Sequence, residues 1–121
     1  MKTGLVIEDN EDNMMLITRL LKKAGYATQW APTGGKGLEM AQTDHPDFIL
    51  LDIQLPDIDG TEVLHRLRSE EYGKSIPVIV VTSYAMAGDR ERFMAAGASA
   101  YLEKPIDPLR VIDQIRNVVG Q

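Results

Sequence analysis

The stretch Phe48-Ile49-Leu50-Leu51-Asp52 decides the fold class, because four apolar residues run together and end on a carboxylate. A strand that is apolar throughout is typical of a parallel sheet whose two faces are both covered. A second stretch, Val78-Ile79-Val80-Val81, has the same character and is followed by Thr82 and Ser83. These two stretches predict the central strands of an α/β sheet.

Shorter apolar runs and segments of helical periodicity alternate with these two strands along the sequence. Such alternation is typical of βαβ units around a parallel sheet. Three further strands are predicted at Leu5–Ile7, Ala27–Ala31 and Ala100–Leu102. Five helices are predicted at Met14–Ala24, Gly35–Gln42, Thr61–Arg68, Asp89–Ala96 and from Pro108 onward. We expect a single α/β domain over residues 1–121.

The composition excludes several classes of protein. The chain has 121 residues, 44% hydrophobic and 26% charged, which suits one soluble domain with a single core. The absence of cysteine excludes thiolate zinc sites, redox dithiols and cysteine nucleophiles. A net charge of −5 predicts no direct nucleic-acid partner, since phosphate binding needs clustered cations. We find no signal peptide and no apolar run of about 18 residues, so we expect a cytoplasmic protein with no membrane partner.

Polar residues stand where four of the predicted strands end. Glu8-Asp9 follows the first strand, Asp52 the third, Thr82 the fourth, and Lys104 comes shortly after the fifth. In open α/β sheets, ligands bind outside the carboxyl ends of the strands. We therefore expect these residues to converge at one edge of the sheet.

Three of these residues are carboxylates, which cannot all stay ionised at close range without a counter-charge. Oxygen-only ligands suit a hard cation such as Mg²⁺. Taken one at a time, Glu8 and Asp9 could equally form a solvated turn, and Asp52 could cap a helix. A carboxylate at the tip of a rigid strand beside a metal can also attack phosphorus and form an acyl phosphate. Thr82 and Lys104 could then donate to the phosphoryl oxygens, although singly a strand-end hydroxyl and a surface lysine are the simpler interpretations.

The segments that carry these residues resemble the receiver domain of two-component response regulators. They match the family in order and spacing over nearly the whole chain, and they are Leu5–Asn10, Leu50–Pro56, Val80–Ser83 and Leu102–Pro105. The resemblance implies a flavodoxin-like (βα)5 fold, a doubly wound five-stranded parallel sheet in strand order 2-1-3-4-5 with helices on both faces. It also implies Mg²⁺ as the cofactor.

The resemblance further implies a role for each residue around the third strand. Asp52 corresponds to the phosphorylated aspartate, and Glu8 and Asp9 to the acidic pair that holds Mg²⁺. Gln54 corresponds to the residue that gives the metal a backbone carbonyl. Gln54 and Tyr84 flank the phosphoryl group in the family, so we expect them to tune the hydrolysis rate of the acyl phosphate.

Residues near the fourth and fifth strands match the family's switch. Thr82 and Lys104 correspond to the hydroxyl and the lysine that contact the phosphoryl group. The bond between Lys104 and Pro105 is cis in the family, and proline is the residue that makes a cis bond accessible. Tyr101 matches an aromatic residue that moves inward when the Thr82 equivalent is drawn toward the phosphoryl group. The alternative for Tyr101 is an ordinary packed strand tyrosine.

The function that this resemblance implies is a phosphoacceptor switch, a regulatory domain rather than an enzyme. It would take a phosphoryl group from a sensor histidine kinase or a histidine phosphotransfer protein, and would assist its own phosphorylation and slow dephosphorylation. The phosphorylated form would then bind a downstream protein through the fourth helix, fifth strand and fifth helix, as a monomer or a weak dimer. The chain is similar both to stand-alone receivers of the DivK type and to receivers of hybrid kinases or larger regulators, which act as phosphoryl shuttles.

Two alternatives come from other classes of protein. A Mg²⁺-dependent phosphohydrolase of the haloacid dehalogenase type would use an aspartyl intermediate, but it needs a general-acid aspartate where this chain has Gln54. A flavodoxin-like flavin binder would need a Ser/Thr/Gly-rich phosphate loop after the first strand. Here that position carries Glu8 and Asp9, whose charge would repel a phosphate.

Overall fold

The computed structural model describes residues 1–83 and 85–120, and the element bounds below refer to them. The strands are β1 (Thr3–Ile7), β2 (Ala27–Ala31), β3 (Phe48–Asp52), β4 (Val78–Thr82) and β5 (Ala100–Glu103). The helices are α1 (Glu11–Lys23), α2 (Gly34–Asp44), α3 (Gly60–Ser69), α4 (Asp89–Ala95) and α5 (Pro108–Val119). A short 3-10 helix at Glu71–Gly73 precedes β4.

The strands form one parallel sheet in the order β2-β1-β3-β4-β5, which confirms the predicted topology. β1 pairs with both β2 and β3, so that Ile7 lies between Ala31 and Leu51 in the register. The chain first builds outward from β1 to β2 and then crosses to β3 on the other side. The strand order therefore reverses at β1, and a crevice opens at the carboxyl ends of β1 and β3.

Alternate residues along the strands point to opposite faces of the sheet and build two separate cores. One core joins Ile49, Leu51 and Val80 to α2, α3 and α4. The other joins Leu50 and Val81 to α1 and α5. Both faces are covered, which explains why β3 and β4 are apolar at nearly every position.

β3, β4 and β5 each extend one residue further than the apolar pattern predicts, and this extension matters for the site. Asp52 is the last residue of β3, paired in the register with Val81, and Thr82 is the last residue of β4, paired with Glu103. A polar side chain does not interrupt the ladder, because the main chain makes the hydrogen bonds. Both side chains therefore project from ordered strand rather than from loop.

The described helices are short for a membrane-spanning segment. None of those in residues 1–83 and 85–120 has both the length and the apolar character needed to cross a bilayer.

Candidate functional site

The carboxyl ends of β1, β3, β4 and β5 bring the polar residues together, in the sheet order that places β3 beside both β1 and β4. Glu8 directly follows β1, Asp52 ends β3, Thr82 ends β4 and Lys104 directly follows β5. Glu8, Asp52 and Thr82 are all buried. The predicted convergence of these four residues is therefore present in the structure.

Glu8, Asp9 and Asp52 form an acidic cluster at this edge. One carboxylate oxygen from each residue lies within 4.8 Å of the others. Glu8 is 2% exposed and Asp52 is 4% exposed, whereas Asp9 is exposed to solvent. The acidic cluster thus has two buried members and one member at its solvent-facing side.

The ammonium group of Lys104 partly balances the acidic cluster. Lys104 Nζ lies 2.8 Å from Glu8 Oε1 and 3.6 Å from Asp52 Oδ2. The backbone N–H of Lys104 donates to the carbonyl of Thr82 at 2.8 Å, and the peptide bond from Lys104 to Pro105 is cis. A single ammonium thus faces two buried carboxylates.

The pKa of Asp52 is raised above its ordinary value of 3.8. Burial is the largest cause, followed by a hydrogen bond to Glu8 and then by the negative charge of Glu8. The charge of Lys104 and the backbone N–H of Gln54, which donates to Asp52 Oδ1 at 3.2 Å, act in the opposite direction. One further positive charge in the acidic cluster would let both buried carboxylates stay ionised.

The residues present fit a hard divalent cation. They offer carboxylate oxygens from three residues, as magnesium sites in proteins do, and Asp9 leaves one side open to water. Gln54, predicted to give a backbone carbonyl, lies two residues beyond Asp52 and is bonded to it through its N–H. Zinc would favour histidine or cysteine ligands, which the acidic cluster lacks.

Tyr101, assigned to the switch, lies on β5 and packs against α4. Tyr101 is buried, and its ring stacks on Phe93 of α4 with the ring centroids 5.8 Å apart. Burial raises the pKa of Tyr101, and within the described residues its hydroxyl has no hydrogen-bond partner. The ring therefore lies inward, against α4. Tyr84, predicted to flank the phosphoryl group, lies outside the described residues.

Two residues near the site were not singled out from the sequence. The indole N–H of Trp30, on β2, donates to the carbonyl of Glu8 at 2.7 Å. Asp57, in the loop of residues 53–59 between β3 and α3 (the β3–α3 loop), accepts two backbone N–H groups at the start of α2. The residues next to Trp30 and Asp57 in the sequence do not indicate either contact, because each partner is more than 20 residues away.

Known proteins match this chain over nearly its whole length. The model of the response regulator receiver domain family matches residues 5–116. The polar-differentiation response regulator DivK of Brucella ovis is 44% identical over 119 residues, which are 98% of this chain and 97% of that protein. Its similarity therefore extends well beyond the site.

Solved structures agree with these relatives. A putative response regulator from Chloroflexus aurantiacus superposes with a TM-score of 0.93 at 27% identity, over 99% of this chain and 98% of that one. The receiver domain of a sensor histidine kinase from Pseudomonas aeruginosa superposes with a TM-score of 0.90 at 31% identity, again over 99% and 98%. That structure has a magnesium ion coordinated in its active site cleft.

Fold, acidic cluster and relatives lead to one conclusion. Receiver domains are regulatory rather than enzymatic, and they bind Mg²⁺ at an acidic cluster. Because the family accounts for the acidic residues at the strand ends, neither a phosphohydrolase nor a flavin binder is needed to explain them. The chain belongs to the response regulator receiver domain family.

Proposed function

We propose that this chain is a phosphoacceptor switch of a two-component or phosphorelay system, in which Asp52 accepts a phosphoryl group from a phosphohistidine. The observation that carries the proposal is the setting of Asp52. Its carboxylate is buried at the end of β3, lies 3.6 Å from Lys104 Nζ and belongs to the acidic cluster. Cations that keep such a carboxylate ionised would also neutralise the charge of an incoming phosphoryl group.

In the proposed transfer, a carboxylate oxygen of Asp52 attacks phosphorus in line with the bond to the donor imidazole. The new O–P bond forms as the P–N bond breaks, and the imidazole nitrogen keeps the electron pair and takes up a proton. The products are an acyl phosphate on Asp52 and an unmodified histidine on the donor. Mg²⁺, when bound, would neutralise phosphoryl oxygens during this step.

Glu8, Asp9, Asp52 and the backbone carbonyl of Gln54 would hold the metal. Burial of Glu8 and Asp52 makes their oxygens fixed ligands, while exposed Asp9 leaves water access. The side chains of Gln54 and Tyr84 would tune how fast water reaches the acyl phosphate. Gln54 is exposed beside Asp52, as such a role requires.

Lys104 and Thr82 would contact the phosphoryl oxygens. Lys104 Nζ already lies between Glu8 and Asp52, so a small movement can bring it to an oxygen on Asp52. Thr82 is buried at the end of the neighbouring strand. Movement of its hydroxyl toward the phosphoryl group would favour the inward ring of Tyr101, and Pro105, after the cis bond, would belong to the same switch.

The output surface would be the face formed by α4, β5 and α5, which changes when Tyr101 and Thr82 move. The partners would be a histidine kinase or histidine phosphotransfer protein upstream and a protein target downstream, in the cytoplasm. The domain would occupy residues 1–121 and act as a monomer or a weak dimer through the same face. A phosphoryl shuttle within a hybrid kinase or larger regulator would use the same site.

The test is to incubate the chain with acetyl phosphate and Mg²⁺ and to measure its intact mass. We expect one added phosphoryl group that is stable in acid and lost in base, and no uptake by Asp52→Asn. Asp59→Asn is the matched control, because Asp59 is an exposed aspartate of the loop that follows Asp52, and this variant should be phosphorylated normally. Stoichiometric uptake by Asp52→Asn would show that another residue is the acceptor.

A further inference from the structure

The first turn of α2 is completed by a side chain from the β3–α3 loop. Asp57 Oδ1 accepts the N–H of Gly34 at 2.8 Å, and Asp57 Oδ2 accepts the N–H of Gly35 at 2.9 Å. Thr33 Oγ1 accepts the next amide, that of Lys36, at 3.1 Å. The leading amides of a helix have no acceptor within the helix. Here Asp57 and Thr33 supply side-chain oxygens to the first three.

The contact between Asp57 and α2 is reinforced by charge and by packing. A carboxylate is favourable at the positive end of a helix, and the hydrogen bonds from Gly35 and Gly34 lower the pKa of Asp57. Ile58, the next residue, packs closely on Gly34, where an added Cβ would lie 2.5 Å from Ile58 Cγ1. The far half of the β3–α3 loop is therefore bonded to α2 and packed against it.

The near half of the loop is fixed to the sheet. The N–H of Ile53 donates to the carbonyl of Val81 at 3.2 Å, and the N–H of Gly60 donates to the carbonyl of Ile53 at 2.9 Å. Gln54 follows Ile53 and precedes Asp57 by three residues, so it lies in the short span between the two fixed points. Loss of the second fixed point would give the Gln54 backbone more conformations.

We propose that Asp57 is a positioning residue for the metal site. Its bonds to α2 hold the β3–α3 loop so that the Gln54 carbonyl is ordered before a divalent cation binds to the acidic cluster. The inference rests on the proposed function, because the Gln54 carbonyl is a metal ligand only there. An ordered ligand binds more tightly, since no conformational freedom is lost on binding, and outer partners of metal ligands act in this way.

The experiment compares Mg²⁺ affinity, measured by calorimetric titration, in the unmodified chain, Asp57→Ala, Asp57→Asn and Thr33→Ala. We expect Asp57→Ala to weaken binding by about three- to tenfold, and Asp57→Asn by less because it keeps one acceptor oxygen. Thr33→Ala is the matched control. It removes the other cap of the same helix end, which also destabilises α2, but its side-chain hydrogen bond goes to Lys36 of α2 and not to the loop. Its Mg²⁺ affinity should be unchanged.

A second measurement needs no metal. In the metal-free chain, hydrogen exchange of the Gln54 amide, which is bonded to Asp52 Oδ1, should be faster in Asp57→Ala and unchanged in Thr33→Ala. Unchanged Mg²⁺ affinity in Asp57→Ala, or an equal loss in Thr33→Ala, would overturn the inference. If the unmodified chain binds no Mg²⁺, the proposed function fails instead. The exchange rate of Gln54 then still decides whether Asp57 orders the loop.

Discussion

Two neighbouring loops at the same sheet edge are held in different ways. The β3–α3 loop is bonded to α2 through Asp57, and its last residue, Asp59, caps α3 by accepting the N–H of Thr61 at 2.7 Å. The β4–α4 loop, residues 83–88, leads into a helix whose cap residue, Gly88, has a φ of 86° and no side chain. Within its described residues, the side-chain hydrogen bond is local, since the N–H of Met86 donates to Asp89 Oδ2 at 2.9 Å.

The difference is between hydrogen bonds that join the β3–α3 loop to another helix and a hydrogen bond that stays at the start of the loop's own helix. To move away from α2, the β3–α3 loop must break the hydrogen bonds of Asp57, whereas the bond between Met86 and Asp89 can stay intact when that end of α4 moves. The β3–α3 loop follows the proposed phosphoacceptor, and the β4–α4 loop leads to the proposed output helix. A hydrogen-bonded link between separate elements is thus found where a metal would be held.

The largest expected effect comes from detaching α4. Phe93 is 1% exposed and stacks on Tyr101, with the guanidinium of Arg92 4.6 Å above its ring. Phe93→Ala should lower the free energy of unfolding by about 3–5 kcal/mol in urea titration. In hydrogen exchange, α4 should lose protection while α2 keeps it. Equal loss in both helices would contradict the comparison. Leu109→Ala, at a side chain 78% exposed, is the control and should change little.

A smaller effect should follow from a substitution that pushes α2 and the β3–α3 loop apart by steric overlap and removes no hydrogen-bonding group. The Cβ of Gly34→Ala would lie 2.5 Å from Ile58 Cγ1 and 2.9 Å from Val63 Cγ2, so we expect a loss of about 1–2 kcal/mol in the free energy of unfolding. In Gly35→Ala, the nearest atom would be Asp57 Oδ2 at 3.2 Å. This neighbouring control should lose less. A larger loss of stability in Gly35→Ala than in Gly34→Ala would mean that Ile58 moves aside without cost, and that its packing does not hold the loop against α2.

The smallest expected effect is in the pH dependence of stability. Backbone N–H groups lower the pKa of Asp57 at one loop and of Asp89 at the other, where Arg92 adds to the effect. A carboxylate whose pKa is lower in the folded chain stabilises it above the unfolded pKa of about 4, and this stabilisation is lost as pH falls further. The stability difference between the unmodified chain and Asp57→Asn should therefore shrink from pH 6 to pH 3 in urea titrations. A constant difference would exclude the charge of Asp57 as its cause.

The fold could be predicted because the apolar runs mark the strands and the turn residues that follow them mark where the strands end. The run from Phe48 to Leu51 marks a strand buried on both faces, and the turn residues beyond it mark the loop. The positions of Glu8, Asp52 and Lys104 then follow from one rule about parallel sheets, namely that their carboxyl ends share an edge. These predictions depend on local pattern and on topology, which a single sequence carries.

The contacts of Asp57 and Trp30 could not be predicted in this way. Asp57 stands among turn residues, and an aspartate there more often bonds to its own backbone than to a helix 22 residues away. Trp30 lies on an edge strand, where an aromatic residue needs no polar partner to be favourable. In both cases the partner is a backbone group, and the residue types in a sequence do not show which backbone group a distant side chain will bind.

The hydrogen bond from Trp30 to Glu8 has a practical consequence. The chain contains a single tryptophan, and its indole N–H is bonded to the main chain of the first residue of the acidic cluster. Indole emission depends on hydrogen bonding and on nearby charge. The tryptophan emission of the unlabelled chain, excited selectively over its four tyrosines, therefore comes from one indole at the sheet edge where a cation or a phosphoryl group would arrive, and no probe has to be attached to observe it.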